Sequence, residues 1–117
     1  MSTGDEGNDK ELADAIRALG DVFVGRIPST LSSMESELDA IIRNGNDAVA
    51  WKNLHRQLHS LAGTAGTFGH AELGDRARDL EHRINDMLKG ENGSNDPEFM
   101  HDQRDFMVWV DSQFVKK

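Results

Sequence analysis

The chain has 117 residues, a length typical of one compact domain, and 37% of them are hydrophobic. Its formal net charge of -8 repels nucleic-acid phosphates and anionic membranes, and it contains no apolar run of the ~20 residues that span a bilayer. Cysteine is absent, which excludes disulfides and cysteine-based zinc sites. We therefore expect a cytoplasmic protein that stays monomeric and binds neither nucleic acid nor membrane.

Polar residues open the chain, and the first helix follows them. Residues 1–8 are small, polar and charged, which predicts a flexible tail before a single helical domain at 9–117. Apolar residues then recur at steps of four, three and four, which is typical of one amphipathic helix. They are Leu12, Ile16, Leu19 and Phe23. Gly25 weakens this helix, and Pro28 suits the first turn of a new one, where its missing N–H costs little.

Three further helices are predicted between Ile27 and Met87, and short turns separate them. Their apolar stripes are Ile27, Leu31, Met34, Leu38 and Ile41 in the second helix, Ala50, Leu54, Leu58, Leu61, Ala65 and Phe68 in the third, and Leu73, Ala77, Leu80, Ile84 and Met87 in the fourth. The run from Asn44 to Asn46 ends the second helix, and Asn46 is the predicted N-cap of the third. A break near Gly69 separates the third helix from the fourth.

The last helix follows a predicted loop at residues 90–95. Asp96 is the expected N-cap of this helix and Pro97 its first residue. Its apolar side is less regular and consists of Phe99, Phe106, Val110 and Phe114. Since short connections make consecutive helices antiparallel neighbours, the prediction is an all-α protein. We expect an antiparallel up-and-down four-helix bundle with an additional N-terminal helical segment.

The third helix carries a histidine on the side opposite its core. At about 100° per residue, the core direction set by Leu54, Leu58 and Leu61 lies roughly 140° away from His59. A lone histidine near an apolar stripe is more often a core residue, but this angle argues against that interpretation. We therefore expect His59 to point into solvent or into the mouth of a groove.

Small residues follow His59 on the same side of the helix. They are Ala62, Gly63 and Gly66. Each glycine in a helix interior costs roughly 1 kcal/mol relative to alanine, so helix propensity alone does not favour them. Either another helix packs closely here, or the bare surface admits a bulky group or a partner beside the histidine. The exposed angle of Gly63 favours access.

Positive charge surrounds this histidine in the sequence. The 24 residues from 48 to 71 contain neither Asp nor Glu. His55, Lys52 and Arg56 lie N-terminal to His59 and on its side of the helix. Cations beside an imidazole favour its neutral, nucleophilic form, and they would also stabilise a phosphoryl group attached to it. A solvated polar face would have the same composition, so these charges alone do not establish a site.

The stretch from His59 to Gly69 reads His-Ser-Leu-Ala-Gly-Thr-Ala-Gly-Thr-Phe-Gly. This motif resembles a known family, the histidine-containing phosphotransfer (HPt) domain of multistep two-component signalling, whose pattern is His-x-Leu-Lys-Gly followed after five residues by another Gly. The residues that match this pattern are His59, Leu61, Gly63 and Gly69, and Leu73, Leu80 and Glu81 lie where the family has similar residues. The similarity extends from about Phe23 to Glu81, which is about half of the chain.

The resemblance implies a function for His59. This residue would be phosphorylated on Nε2 and would exchange the phosphoryl group with aspartates of receiver domains, in response regulators or hybrid histidine kinases. Mg²⁺ and the acid–base chemistry would belong to the receiver, so the chain would be a phosphocarrier without catalytic activity, metal or cofactor of its own. The predicted phosphoryl environment consists of Lys52, His55, Arg56, Ala62, Gly63 and Gly66.

One position departs from the family pattern. The family often has lysine three residues after the histidine, and here that position is Ala62. Another cation would then have to neutralise the phosphoryl group. The candidates on the third helix are Lys52 and Arg56, and those on the fourth helix are Arg76 and Arg78.

Two other functions remain open from the sequence. His55 and His59 have the i, i+4 spacing of a metal-binding pair, but Arg56 occupies the position where zinc proteases have their general-base glutamate, and no third ligand is evident. The remaining histidines are expected at the surface or at helix caps, namely His70, His82 and His101. The stronger alternative is a helical-bundle adaptor that binds a receiver domain or kinase and is never phosphorylated.

Overall fold

The computed structural model describes residues 3–45, 47–89 and 97–116. Over these ranges it consists of helices without any strand. They are α1 (Thr3–Arg43), α2 (Ala48–Thr67), α3 (Ala71–Leu88) and α4 (Pro97–Val110), and α4 continues into a π-helical segment (Asp111–Val115). The predicted all-α bundle is confirmed. Within the described ranges, none of the helices has the length and apolar character needed to cross a membrane.

Helix α1 joins two helices that the sequence predicted as separate. It runs through Gly25 and Pro28 without a break, so the new helix predicted at Pro28 is wrong. Phe23, Ile27 and Leu31 are four positions apart and all pack against the core, so one face of α1 points to the bundle on both sides of the proline. This packing outweighs the hydrogen bond that Pro28 cannot donate.

The N-terminal part of α1 extends beyond the bundle. A helix of 41 residues is about 62 Å long at 1.5 Å per residue, and 62 Å is also the longest dimension of the protein. Leu12, Ile16 and Leu19 are therefore exposed, although they continue the stripe that is buried from Ile27 onward. The additional N-terminal segment is thus helical, but most of its apolar side lies outside the core.

The ends of the helices follow most of the predicted turn signals. α1 begins at Thr3, while the flexible tail expected at residues 1–8 stays a prediction, and residues 1 and 2 lie outside the described ranges. α1 ends at Arg43, as its polar turn predicts. Asp47 caps α2 in place of the predicted Asn46, because its side chain accepts a hydrogen bond of 3.1 Å from the Ala50 N–H.

The predicted start of the last helix is confirmed in part. Pro97 is the first residue of α4. Asn46, the predicted loop at 90–95 and the predicted cap Asp96 lie outside the described residues. All four helices contribute to a single core, whose largest fully buried side chains include Met34, Leu54, Leu58, Leu73, Ile84 and Phe99.

Candidate functional site

Helix α2 turns His59 away from the core. Leu58, the residue before it, is completely buried, whereas the His59 side chain is 72% exposed. The exposure predicted from the helical angle is therefore confirmed. An imidazole with this much exposure is accessible to a partner in solution.

One ring nitrogen of His59 is held by a carboxylate from the neighbouring helix. Glu81 of α3 places Oε2 2.7 Å from His59 Nδ1, a hydrogen-bond distance. An ionised carboxylate only accepts hydrogen bonds, so Nδ1 carries a proton, and in the neutral ring Nε2 then has the lone pair. The two nitrogens of an imidazole point in diverging directions, so Nε2 is directed away from Glu81. The arrangement leaves Nε2 as the nucleophilic atom of the ring.

A second imidazole contacts the same carboxylate oxygen. His55 Nε2 lies 3.7 Å from Glu81 Oε2. The rings of His55 and His59 are 6.4 Å apart between centroids and almost parallel, with an angle of 7° between their planes. Glu81 is only 13% exposed and lies beneath both histidines. The site therefore consists of two imidazoles from consecutive turns of α2 and one carboxylate from α3.

Close packing of α2 against α3 brings Glu81 to this position. A Cβ added to Gly74 would lie 3.2 Å from the carbonyl oxygen of Ala62 and 3.7 Å from the Cβ of Ala65, so the glycine lets the two backbones approach. Ala62, Ala65 and Ala77 are buried at this contact. Small side chains on both helices thus set the distance between His59 and Glu81.

The turn between α2 and α3 fixes their antiparallel register. Gly69 has a φ of 83°, a left-handed conformation that favours glycine. The N–H of Gly69 bonds to the carbonyl of Gly66, and the N–H of His70 bonds to the carbonyl of Ala65 at 2.8 Å. This pair of bonds is the Schellman motif that closes many helices. It ends α2 two turns after His59 and lets α3 return alongside it.

The surface beyond His59 is bare, as the glycines predict, but Ala62 does not belong to it. Gly63 and Gly66 are exposed, and a Cβ added to either would meet nothing within 4 Å. Ala62 is buried under α3. Ala62 therefore serves the contact between the helices and not the bare surface, while its place in the phosphoryl environment of His59 stays a prediction.

Among the described residues, the predicted cations Lys52 and Arg56 form neither a hydrogen bond nor an ion pair with His59. Arg56 donates a hydrogen bond of 2.6 Å to Asn53 Oδ1 and lines the groove between α1 and α2. Lys52 is exposed and forms neither a hydrogen bond nor an ion pair within the described ranges. That both cations border the imidazole therefore stays a prediction.

The arginines proposed from the next helix also have other contacts. Arg76 pairs with Glu72 at 2.6 Å and lies over the ring of Trp109, with 4.2 Å from Cζ to the ring centroid. Arg78 lies 3.4 Å from Asp75. Each of the two ion pairs, Arg76 with Glu72 and Arg78 with Asp75, joins residues one turn apart on α3. Neither arginine takes the place of the family lysine in these contacts.

Glu81 is the site residue whose role the sequence reasoning missed. In the sequence it is marked only by its position in the family resemblance, because the predicted site consists of cations, a histidine and small residues. His59 and Glu81 are 22 positions apart, and His70 in the turn lies midway between them. In an antiparallel pair of helices, residues equally far from the turn face each other. That symmetry was the signal that could have identified Glu81.

The other histidines lie apart from this site. His70 is partly buried, and its ring centroid is 5.9 Å from that of Phe23 and 5.2 Å from that of Phe114. His82 is exposed, as expected. In the described part of the chain, the one trio of possible metal ligands with atoms within 4.8 Å of one another is exposed on α4 and does not include His59. It consists of His101, Asp102 and Asp105.

Comparison with known proteins agrees with the fold. The family model of the Hpt domain matches residues 18–108, a range that includes α2 and α3 entirely. The search of curated proteins gave no match, and neither did the search of solved structures. The match covers well over half of the chain, and His59, Glu81 and the helical bundle lie within it. The chain therefore belongs to the Hpt domain family.

Proposed function

We propose that this chain is a phosphocarrier that exchanges a phosphoryl group between His59 and aspartates of receiver domains. Hpt domains act in histidine phosphotransfer within phosphorelays, and the chain belongs to that family. The proposal rests on the exposure and the hydrogen bond of the His59 side chain. His59 is 72% exposed, and its Nδ1 is held 2.7 Å from Glu81 Oε2, so Nε2 is free to react.

The transfer step needs only the lone pair of Nε2 from this chain. Nε2 attacks the phosphorus of an aspartyl phosphate, and a P–N bond forms while the P–O bond to the aspartate breaks. The aspartate carboxylate leaves with the electron pair. The ring keeps its Nδ1 proton and becomes a phosphoimidazolium, so no proton has to be taken up or released. The reverse sequence returns the phosphoryl group to another aspartate.

Glu81 contributes by electrostatics and orientation. Its carboxylate fixes the ring in the tautomer with a bare Nε2, and it faces the positive charge that the ring acquires during the attack. Because Glu81 is largely withdrawn from water, this attraction is screened less than it would be at an exposed position. We therefore propose that Glu81 is a positioning residue for His59.

The bare surface beside His59 suits a receiver domain. Gly63 and Gly66 lack side chains that would keep the rim of a receiver's active site away from Nε2. A carrier has to leave one partner before it meets the next, so we expect a small and transient interface. We propose that the receiver supplies Mg²⁺, that this chain needs no metal, and that the exchange takes place between a monomer and its partners in the cytoplasm.

The test is transfer of radiolabelled phosphate from a phosphorylated receiver domain in the presence of Mg²⁺. We expect label on the wild-type chain, lost in acid and stable in alkali as phosphohistidine requires, and no label on His59→Gln. His82→Gln removes an exposed histidine of α3 and should be labelled like the wild type. If the wild type binds the receiver but takes up no label, the chain is an adaptor instead. Undiminished label on His59→Gln would also reject the proposal.

A further inference from the structure

The carboxylate that orients His59 has a second imidazole beside it. Glu81 Oε2 lies 2.7 Å from His59 Nδ1 and 3.7 Å from His55 Nε2. Only the shorter distance is that of a hydrogen bond. At the longer distance the interaction is electrostatic, so a protonated His55 ring attracts the Glu81 carboxylate. One oxygen atom therefore links the charge of His55 to the orientation of His59.

Glu81 needs a positive partner in the state that reacts. Its side chain is only 13% exposed, and a carboxylate withdrawn from water is stabilised by a nearby cation. His59 does not provide this charge before the attack, because its ring is then neutral. Among the described residues, the ion-pair contacts of Glu81 are with His55 and His59. His55 is thus the group that can balance Glu81 while His59 Nε2 is still a nucleophile.

Other charged groups near His55 lie on three helices. On α2, Lys52 lies one turn before His55, and Arg56 extends toward the groove with α1. On α3, Arg83 follows Glu81 by two positions and pairs with Asp102 of α4 at 2.8 Å. Arg56 and Arg83 have contacts of their own, and no contact joins Lys52 to Glu81 among the described residues, whereas His55 Nε2 lies 3.7 Å from the Glu81 carboxylate.

We infer that His55, in its protonated form, is a positioning residue for phosphoryl transfer. It holds Glu81 opposite His59 Nδ1 while Nε2 reacts, because its positive charge balances that of the carboxylate. The inference rests on the proposed function. It predicts that removing the positive charge at position 55 slows transfer, whereas a permanent cation at that position preserves it.

The experiment compares initial rates of transfer from a phosphorylated receiver between pH 5.5 and 8.5. The variants are His55→Gln, His55→Arg and the control His82→Gln. Each rate is divided by that of the control at the same pH, so that the pH dependence of the donor cancels and the ratio shows the effect of the substitution at position 55 alone. We expect a ratio of about one tenth for His55→Gln, the scale on which one nearby charge affects an ionisable group. We expect His55→Arg to keep a ratio close to that of the wild type, because arginine carries its charge over the whole range.

The imidazole ¹⁵N NMR signals of His59 give a second measurement that does not depend on transfer. The Nδ1–H tautomer should dominate in the wild type and in His55→Arg, and it should be less populated in His55→Gln. Equal rates and pH profiles for the wild type and His55→Gln would overturn the inference. So would an unchanged tautomer in His55→Gln, or equal slowing of both His55 variants with the wild-type pH profile.

Failure of the inference is distinguishable from failure of the proposed function. If the wild type takes up label and His59→Gln does not, the phosphocarrier function stands whatever His55 does. If the wild type takes up no label, the proposed function fails while the tautomer measurement still tests the link between His55, Glu81 and His59.

Discussion

Two faces of α2 use small residues for opposite purposes. On the face toward α3, a Cβ added to Gly74 of α3 would lie only 3.2 Å from the carbonyl oxygen of Ala62, so a side chain there would be crowded. On the face that carries His59, Gly63 and Gly66 have nothing within 4 Å of an added Cβ. Close packing of the two helices requires a glycine at position 74, but no packing contact requires one at position 63 or 66. Glycine at the exposed positions costs stability, so the reason for it lies outside the fold.

The largest expected effect comes from the buried side of α2. Leu58→Ala should lower the free energy of unfolding by about 2–5 kcal/mol, because it removes methyl groups from a fully buried position and leaves a cavity. Ser60→Ala, two positions further at an exposed site, should change it by about 0.5 kcal/mol or less. Urea denaturation followed by circular dichroism measures both. A similar effect for the two variants would contradict the assignment of the faces.

A smaller effect should follow from filling the contact between α2 and α3. Gly74→Val should destabilise the protein by about 1–3 kcal/mol, since its side chain meets a backbone carbonyl that cannot move aside without shifting a helix. Gly63→Val is the matched control, because the same side chain enters open space there. If thermal melts show that both variants lose the same stability, the difference between the two faces is not one of packing.

The smallest expected effect is a gain. Gly63→Ala should stabilise the protein by about 0.5–1 kcal/mol, because alanine favours the helix and its methyl group meets no neighbour. It should also slow exchange with the receiver, since the methyl group stands in the proposed contact surface. Gly25→Ala in α1 is also in open space and should give the same gain without that slowing. Wild-type exchange by Gly63→Ala would remove Gly63 from the contact surface.

The helices that pack on one another could be predicted from the sequence. The stripe of Leu54, Leu58 and Leu61 correctly predicts which side of α2 is buried. The angle between this stripe and His59 around the helix correctly predicts that His59 is exposed. The break at Pro28 could not be judged locally. A proline opens a helix or interrupts one according to whether the residues on either side share a buried face, and that is decided by tertiary packing.

The environment of His59 was predictable only in part. Spacing places each Cα around a helix, but the guanidinium of Arg56 is several bonds away and turns toward Asn53. Ala62 lies close to His59 in angle, yet it falls on the side that α3 covers. Glu81 comes from another helix, and its contact depends on the register set at Gly69. Contacts between α2 and α3 therefore determine which residues surround His59. The angular positions of residues on a single helix do not show these contacts.

The placement of the two indoles has a consequence for spectroscopy. The chain has two tryptophans and no tyrosine, so its intrinsic fluorescence comes almost entirely from Trp51 and Trp109. Trp51 is buried at the start of α2 and donates its Nε1–H to the Gly45 carbonyl at 3.0 Å, whereas Trp109 lies under Arg76 near the start of α3. These two places are at opposite ends of the bundle. Emission from single-tryptophan variants would therefore report on each end separately, without any attached dye.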